Sequence, residues 1–454
     1  MAQQRRRVKI AFIGGGSQSW APTLLRDIVM KKGMDRVDLT IYLLDLSLTR
    51  ARAIKRLADT CFKQWGVTHA RVVASTQADT ALKGADFVIL AISTGRLEAM
   101  RHDLDIPERY GVYHTVGDTA GPGGWARSIR NIPVFRDYAR QIKRLAPKAY
   151  VLNYTNPMGT LTKVLADELG WSRVVGLCHS VFENYAVLQL ILGLDREEDL
   201  SLRFGGLNHF FWVLDFSVRG EDGYPLLRKK LGRKPLSSAI ARATKDAHGW
   251  LSGKHLASSL YEAYGYLPYL GDRHICEFFS SYMTRPELLE AFGIKRTSIA
   301  DREDSYERAD EEIRDWTSGK KVLDPTPSRE TAADIMTAIL FDRPFTDAVN
   351  MVNHGQIPNL PLGAVVETPG YVDGNGFVPL VVGPIPDQPA EVTRPHAEVQ
   401  LRTVAAALAG DLEAALAALR SDPICAHLPP RDVRKMGLEL LEAHREFVDL
   451  PLPK

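Results

Sequence analysis

Cys178 and His179 stand side by side after a short apolar run, residues 174–177. A thiolate and an imidazole are ligands that transition metals bind well. His209 lies further on, between a glycine pair and an apolar segment, and is a second candidate ligand. We predict that Cys178 and His209 converge on one metal ion at the end of a strand. The alternative is that Cys178 is buried packing, because a free cysteine behaves as a small apolar side chain.

A glycine-rich turn follows the first apolar run of the chain. Residues 8–13 have the composition of a buried parallel strand, and the turn after them consists of Gly14, Gly15, Gly16 and Ser17. Glycines allow the backbone to approach a pyrophosphate, and the N-terminus of the next helix supplies N–H donors. The turn therefore predicts a dinucleotide site, although serine replaces the third small residue of the usual fingerprint.

Asp45 closes the second predicted strand, residues 37–44. A carboxylate at this position can accept hydrogen bonds from a ribose diol and repel a 2′-phosphate, which favours NAD over NADP. The alternative is that Asp45 caps the helix that begins near Ser47.

Further apolar runs alternate with helical segments. Residues 86–95 form the third predicted strand and carry Ser93 near its end, residues 149–157 form the fourth and carry Asn156, and the strand before Cys178 is the fifth. Strands and helices at this cadence predict βαβ units and a parallel sheet. The carboxyl ends of such strands share one edge, where doubly wound folds bind their ligands.

These elements predict an α/β fold with an N-terminal Rossmann-like, doubly wound parallel sheet and a C-terminal α+β catalytic domain. We expect residues 1–200 to form the NAD-binding domain and residues 201–454 to form the domain that binds substrate and metal and mediates oligomerisation. In the second half we expect an exposed helix over 302–321, a linker over 228–235, and alanine-rich helices over 395–420 and 431–447.

The composition is that of an ordinary globular protein, with 45% hydrophobic and 25% charged residues and a net charge of +2. It predicts neither nucleic acid nor a membrane as a partner, and the apolar run near the N-terminus is too short for a signal peptide. The four cysteines have no metal-site or disulfide spacing. A reducing, cytoplasmic setting is therefore expected.

The segment from residue 264 to residue 279 is unusually dense in aromatic and ionisable side chains. Tyr269, Asp272 and Arg273 lie around a glycine turn there, and a loop of this composition is typical of a functional site. The alternative is that Asp272 and Arg273 pair with neighbouring residues to hold the turn.

With these residues in hand, the chain resembles glycoside hydrolase family four over essentially its whole length. The resemblance is carried by Ile13-Gly14-Gly15-Gly16-Ser17, Val116-Gly117-Asp118-Thr119, Gly121-Pro122-Gly123-Gly124, Asn153-Tyr154-Thr155-Asn156-Pro157, Gly176-Leu177-Cys178-His179-Ser180-Val181 and Gly206-Leu207-Asn208-His209. This family is the NAD-dependent exception among glycoside hydrolases.

The resemblance implies a bound NAD and a divalent ion, usually Mn²⁺, held by Cys178 and His209. It also implies redox elimination, in which NAD takes hydride from C3 of the sugar, a base removes the C2 proton, the aglycone leaves, water adds and the hydride returns. Asn156 and Asn153 are implied as substrate contacts. A glycoside substrate and a homodimer or homotetramer are expected.

The base is left open between Asp272, which we favour, and Tyr269, and we place His179 with them among the catalytic residues. Because phospho-sugar branches of the family carry Asp or Asn after the cysteine, His179 argues against a 6-phosphoglycoside. The glycine turn and the Gly271-Asp272-Arg273-His274 segment look like the α-galacturonidase branch, in which Arg273 would contact the sugar carboxylate.

The segment from Cys178 to Val181, by contrast, looks like the α-galactosidase branch. An α-galacturonidase or α-glucuronidase is the favoured interpretation, and an α-galactosidase or α-glucosidase of the same family is the alternative. Two more distant alternatives are a dehydrogenase of the lactate and malate type, with His209 as its acid–base group, and an NAD-binding sensor without activity.

Overall fold

The computed structural model describes residues 5–244 and 254–453. The strands found there form one 13-stranded sheet. They are β1 Arg6–Ile13, β2 Val37–Leu44, β3 Ala70–Ser75, β4 Phe87–Leu90, β5 Tyr150–Asn153, β6 Val174–Gly176, β7 Leu200–Leu207, β8 Phe210–Val218, β9 Glu221–Asp222, β10 Leu267–Pro268, β11 Phe345–Val352, β12 Val365–Asp373 and β13 Gly376–Pro379.

Helices connect these strands and cover the sheet. In the first half they are α1 Trp20–Met30, α2 Leu48–Gln64, α3 Ala78–Leu82, α4 Arg96–Glu108, α5 Gly121–Leu145, α6 Met158–Leu169 and α7 Ser180–Leu192. In the second half they are α8 Gly223–Leu231, α9 Leu236–Ala243, α10 His255–Tyr264, α11 Asp272–Ile275, α12 Ser280–Met283, α13 Pro286–Ala291, α14 Ile299–Ser318, α15 Ala332–Phe341, α16 Asp387–Ala409, α17 Leu412–Arg420 and α18 Pro430–Ala443.

The first six strands are parallel and lie in the order β3-β2-β1-β4-β5-β6. This order reverses direction between β1 and β4, the point at which doubly wound sheets open a crevice for a nucleotide. The predicted α/β architecture with a parallel N-terminal sheet is confirmed.

Strand β1 shows that helices cover the sheet on both faces. Its residues alternate between two separate cores: Ala11 and Ile13 belong to one, and Ile10 and Phe12 belong to the other. A strand buried on both faces is a nearly continuous apolar run, as the sequence of β1 is. The first core contains α5, α6 and α18, and the second contains α1, α2 and α15.

The sheet continues beyond β6 with antiparallel strands. Asn350 of β11 pairs with Gly176 of β6, β12 pairs with β11, and Glu367 of β12 pairs with Gly206 of β7. The C-terminal strands are thus inserted between β6 and β7, which carry the segments of Cys178 and His209. The division of the chain at residue 200 stays a prediction.

Three expectations about local structure differ from the structure in part or in full. Strand β3, an edge strand in which only Val72 and Ser75 are buried, was not predicted, so the strand before Cys178 is the sixth. Residues 228–231 of the expected linker over 228–235 are instead the end of helix α8, which buries Leu227 and Leu231, whereas residues 232–235 do connect α8 to α9. The helix expected over 395–420 is divided into α16 and α17 at Gly410, which has a φ of +67°.

The expected helix over 302–321 and the second strand over 37–44 are both present, as α14 and β2. Across residues 5–244 and 254–453, no helix combines the length and the apolar character needed to cross a bilayer.

Candidate active site

Cys178 lies two residues after the end of strand β6, and helix α7 begins at Ser180. The last residue of the strand, Gly176, is closely packed, since a Cβ at this position would lie 2.5 Å from the sulfur of Met158. The Cys178 Sγ lies 3.3 Å from Nε2 of His209. Burial raises the pKa of the Cys178 thiol, so the neutral thiol is favoured while no cation is present.

His209 lies in the short turn between β7 and β8, with a left-handed φ of +64°. A side chain other than glycine in this region costs on the order of 1–3 kcal/mol, so the surrounding structure must hold it there. Its Nε2 faces Cys178, and its Nδ1 lies 3.0 Å from the hydroxyl of Thr119. The predicted convergence of Cys178 and His209 is present in the geometry, and their role as metal ligands stays a prediction.

Tyr269 packs beside His209, with the two rings stacked at a centroid distance of 5.9 Å. Its side chain is buried, and burial, followed by the nearby carboxylate of Glu183, raises the pKa of the phenol well above its usual value. The phenol is therefore neutral unless a positive charge enters the site.

Asp272 is the first residue of α11, and its carboxylate reaches the N-terminus of α10. Its two oxygens accept hydrogen bonds of 3.0 Å from the backbone N–H groups of Leu256 and Ala257. Burial raises the pKa of Asp272, and these two N–H donors oppose the rise. The structure thus supports a capping role for Asp272, the alternative left open above, and leaves the remaining lone pairs for a proton acceptor.

His179 lies at the outer rim of the site, and its side chain is 58% exposed. Its Nδ1 lies 3.3 Å from Oε1 of Glu330, and this contact raises the pKa of His179 to about 9. The imidazole is thus directed towards Glu330.

Asn153 at the end of β5 and Asn156 just after it have different hydrogen-bond partners. Asn153 is completely buried, and its amide bonds Thr155 and Thr162, so it shapes the strand end rather than facing a ligand. This geometry does not fit the predicted substrate contact of Asn153. The Nδ2 of Asn156 donates to Asp118 at 3.3 Å, whereas its Oδ1 has no partner among the described residues.

Arg273 is less central than the sequence predicts. Its guanidinium donates to the hydroxyl of Thr297, and burial, followed by the positive charge of Arg302, lowers its pKa. The structure therefore places this cation on the Thr297 side of the loop. A second cation, Arg127, donates its Nε to the carbonyl of Asn156 at 3.1 Å.

The glycine turn after β1 is fitted closely into the sheet edge. Gly14 has a φ of +86°, and a Cβ there would lie 2.1 Å from the carbonyl oxygen of Ala91. A Cβ on Gly15 would lie 2.5 Å from the Cα of Leu43. Side chains are thus excluded where a dinucleotide pyrophosphate would approach the backbone.

Asp45 lies behind this turn. Its Oδ2 accepts from the N–H of Gly16 at 3.0 Å, and its Oδ1 accepts from the N–H of Ser47 at 2.8 Å. Ser47 itself caps α2, and the hydroxyl of Ser17 accepts from the N–H of Trp20 at the start of α1. The N-cap of α2 is therefore Ser47, and the interpretation of Asp45 as the helix cap is wrong. The contact of Asp45 with a ribose stays a prediction, since a carboxylate can accept further bonds.

Ser93 lies after β4 and is exposed, three residues before the start of α4. It belongs to the same carboxyl edge of the parallel strands as the glycine turn, Asn156 and Cys178.

Asp118 stood out in the sequence only as part of a motif, yet it lies at the centre of a network of polar side chains. It accepts from the Thr119 hydroxyl at 2.7 Å and from Asn156, and it lies 4.0 Å from Nδ1 of His274. Burial raises the pKa of Asp118, but the neighbouring His274 and Arg127 outweigh this and hold the pKa below its usual value.

His274 was also missed by the sequence analysis, and the centroid of its ring lies 4.0 Å from that of His209. The ligand atoms of Asp118, His209 and His274 lie within 4.8 Å of one another.

Glu367 is a third residue that sequence reasoning missed. Although fully buried, it accepts from the Ser180 hydroxyl at 2.7 Å and from Nδ2 of Asn208 at 2.9 Å. The signal was a carboxylate inside the otherwise apolar start of strand β12, since a buried charge requires hydrogen-bond partners.

Comparison with known proteins decides the family. The sequence pattern of the Family 4 glycosyl hydrolase matches residues 9–194, and that of the Family 4 glycosyl hydrolase C-terminal domain matches residues 204–425. The chain belongs to family 4 of the glycosyl hydrolases.

Several curated members of family 4 are similar over nearly the full length. An alpha-galacturonidase of Thermoanaerobacter italicus is 30% identical over 97% of each chain. An alpha-galacturonidase of Bacillus subtilis is 33% identical over 92% of this chain and 93% of that protein. An alpha-galactosidase of Bacillus subtilis is 30% identical over 97% of this chain and 99% of that protein.

Solved structures of family 4 share the fold. The crystal structure of lplD from Bacillus subtilis is 31% identical and superposes with a TM-score of 0.87, covering 96% of this chain and 100% of that one. The 6-phospho-beta glucosidase of Thermotoga maritima, solved with manganese, NAD+ and glucose-6-phosphate, is 22% identical with a TM-score of 0.79 over 98% of this chain and 100% of that one.

A malate dehydrogenase of Plasmodium falciparum, 11% identical, has a TM-score of 0.53 over 91% of this chain and 99% of that one, a likeness of fold alone. The predicted lactate/malate dehydrogenase-like topology is confirmed.

Proposed function

We propose that this family 4 glycosyl hydrolase cleaves non-phosphorylated α-glycosides by NAD-dependent redox elimination, with an α-linked uronic acid as the favoured sugar. The observation that carries the proposal is the 3.3 Å separation of Cys178 Sγ and His209 Nε2 at the carboxyl edge of a nucleotide-binding sheet. When bound, NAD would exchange hydride with C3 of the sugar, and a divalent ion would polarise the C3 oxygen.

The donor pair fits a divalent ion. Typical metal–sulfur and metal–nitrogen bonds place two adjacent ligands about 3.1–3.6 Å apart, and the Cys178–His209 separation falls in that range. Two protein ligands leave coordination positions for a substrate. Because a coordinated thiol is deprotonated, ion binding would offset the effect of burial on Cys178.

The glycine turn fits a dinucleotide. Side chains are excluded at Gly14 and Gly15, and the turn leads into the N-terminus of α1. A carboxylate, Asp45, lies behind the turn where it can meet a ribose diol. These features support NAD at this edge, next to Asn156 and Cys178.

Proton removal from C2 requires an acceptor near the metal pair. Tyr269 stacks on His209, whereas Asp272 is fixed to the first turn of α10. The position of Tyr269 favours it over Asp272 on geometry, although its phenol must lose a proton in a site where burial holds its pKa high. A cation bound by Cys178 and His209 would stabilise the phenolate and lower that barrier.

Recognition of a uronic acid requires a cation for its carboxylate. Arg273 is the predicted partner, and Arg127 is the cation that the structure places against the Asn156 carbonyl. The alpha-galacturonidase relatives favour an acidic sugar. An α-galactosidase is the second candidate, favoured by the alpha-galactosidase relative of similar identity.

Hydrolysis of 4-nitrophenyl α- and β-glycosides and uronides tests the proposal, with NAD, Mn²⁺ and a thiol reductant present. We expect fastest cleavage of the α-galacturonide and no turnover after removal of NAD or after chelation. Preference for the α-galactoside would assign the second candidate. Turnover that survives exhaustive chelation would exclude the metal role and favour a dehydrogenase-like use of His209.

A further inference from the structure

The hydrogen-bond neighbours of His209 indicate which of its two ring nitrogens carries the proton. Its Nδ1 lies 3.0 Å from the hydroxyl oxygen of Thr119, and that oxygen lies 2.7 Å from Oδ1 of Asp118. A threonine hydroxyl has one proton to donate and two lone pairs that accept. The three side chains therefore form a chain in which each proton has a defined place.

The proton of Thr119 points to Asp118. If the hydroxyl instead donated to His209, its lone pair would face the carboxylate lone pairs of Asp118 at 2.7 Å, and the two oxygens would repel each other. With the hydroxyl donating to Asp118, the Thr119 oxygen can only accept from His209. Nδ1 then carries the proton, and Nε2 presents its lone pair towards Cys178.

We infer that Thr119 is a positioning residue that fixes the tautomer and ring orientation of His209, so that Nε2 is ready to ligate a divalent ion together with Cys178. This inference rests on the proposed metal role of Cys178 and His209. A metal-binding imidazole commonly donates its second N–H to an oxygen acceptor, and loss of such an acceptor weakens metal binding by about 10–100-fold. Here the acceptor is a hydroxyl, which Asp118 polarises.

The loop that carries Thr119 is held rigidly. Glu277 is fully buried, and its Oε1 accepts from the N–H groups of Thr115, Val116 and Gly117 at 2.8–2.9 Å. These bonds join the loop before Asp118 to the segment after α11. Because this backbone is fixed, the Thr119 hydroxyl is already in hydrogen-bond geometry before a metal ion binds. No conformational entropy of the loop is then lost on binding.

Helix α5 closes the other side of Thr119. A Cβ on Gly124 would lie 2.5 Å from the carbonyl carbon of Thr119, so only glycine permits the first turn of the helix to pack this closely. Thr119 is 6% exposed. The close packing accounts for glycine at position 124, and the Thr119 hydroxyl lies between Asp118 and His209.

The test compares Thr119→Val, which keeps the shape and removes the hydroxyl, with Thr119→Ser, which keeps the hydroxyl. Mn²⁺ affinity is measured on the full chain by the electron paramagnetic resonance signal of free Mn²⁺. We expect Thr119→Val to bind Mn²⁺ about 10–100-fold more weakly, and Thr119→Ser to stay close to wild type. Thr337→Val is the matched control, because it removes a buried hydroxyl that donates only within its own helix.

A second readout reports the tautomer directly. In metal-free protein labelled with ¹⁵N-histidine, the Nδ1–H signal of His209 should persist in Thr119→Ser and weaken or disappear in Thr119→Val, because the hydroxyl is the acceptor that keeps the proton on Nδ1. A structural disturbance alone would not be reversed by the serine variant. If Thr119→Val fails to fold, Thr119→Ala carries the same expectation with less crowding.

The outcomes separate the inference from the proposed function. If wild type binds Mn²⁺ and Thr119→Val binds it equally with the same tautomer, the role of Thr119 is wrong and the metal site stands. If wild type binds no Mn²⁺, or if Cys178→Ser binds it as tightly as wild type, the metal role of Cys178 and His209 fails, and the inference fails with it.

Discussion

Glu367 accepts a 2.7 Å hydrogen bond from the hydroxyl of Ser180, a residue 187 positions away in the sequence. Its second oxygen accepts from the amide of Asn208 at 2.9 Å. Ser180 lies two residues after Cys178, and Asn208 directly precedes His209. One buried carboxylate on β12 therefore ties together the two segments that carry the candidate metal ligands.

Replacing Glu367 by glutamine should destabilise the protein although the volume hardly changes. A glutamine has one acceptor oxygen, so either Ser180 or Asn208 would face its amide NH₂ group. A buried donor that loses its acceptor costs about 1–3 kcal/mol of unfolding free energy. Urea unfolding of Glu367→Gln measures this loss. Glu398→Gln is the control, since Glu398 is exposed and contacts Arg402 at 3.5 Å; an equal loss in both variants would contradict the assigned role.

Acid should remove a stabilising contribution from Asp103, which forms a buried pair with Arg130 at 2.6 Å and contacts His444. Burial raises the pKa of Asp103, but Arg130 outweighs it and the folded pKa is lowered. A depressed carboxyl pKa stabilises the fold above the unfolded value of about 3.9, and the contribution is lost as the pH falls through the folded pKa.

The variant Asp103→Asn isolates that contribution, because it leaves Arg130 buried without a counter-charge, at a cost of about 3–5 kcal/mol near neutral pH. Urea unfolding from neutral pH down to pH about 3 measures both proteins. The stability gap between wild type and variant should be largest near neutral pH and narrow in acid. A gap that stays constant throughout would show that Asp103 is not ionised in the folded state.

Cys178→Ser should retain the fold and NAD binding but lose Mn²⁺-dependent hydrolysis. Serine keeps the size of the side chain, yet its hydroxyl is a poor ligand at neutral pH, whereas a metal-bound thiol is deprotonated. Thermal unfolding, NAD titration and turnover with added Mn²⁺ are measured on the same preparation. Cys61→Ser is the control, because Cys61 is a buried residue of helix α2, far along the chain from the site. Turnover near the wild-type rate in Cys178→Ser would remove the metal role of this thiol.

If Arg273 recognises a sugar carboxylate, Arg273→Lys should lower kcat/KM on an α-uronide far more than on the matching neutral α-hexoside. Lysine cannot reproduce the paired donors of a guanidinium, and truncating one partner of a buried charge pair costs about 2–5 kcal/mol. Arg127→Lys is measured in parallel, because Arg127 lies against Asn156. A uronide-specific loss in Arg127→Lys alone would transfer the role to that residue.

The parallel half of the fold was readable from the sequence because its strands are buried on both faces. The predicted bounds of β2 agree with the structure, since an apolar run ends there at a charged residue. Strand β3 was missed because it is a short edge strand, in which only Val72 and Ser75 are buried and Arg71 interrupts the apolar residues.

The residues of the site could be predicted from the sequence only where a local sequence pattern indicates them. The strand end at Cys178 and the turn at His209 have local signals, and their approach to 3.3 Å follows from the sheet. Glu277 and Glu367 act on loops about 160 and 187 residues away in the sequence, so no local pattern indicates their partners. Arg273 donates to the hydroxyl of Thr297, a contact that no local pattern indicates, and its contact with a sugar carboxylate stays a prediction.

Deuterium incorporation tests the proposed mechanism most directly. Wild-type protein is incubated with 4-nitrophenyl α-galacturonide, NAD and Mn²⁺ in D₂O, and any released sugar is analysed by proton NMR and mass spectrometry. Redox elimination predicts deuterium at C2 of the product and no turnover without NAD, because the C2 proton is removed and replaced from solvent. Product without deuterium at C2, formed at the same rate in the absence of NAD, would contradict the account.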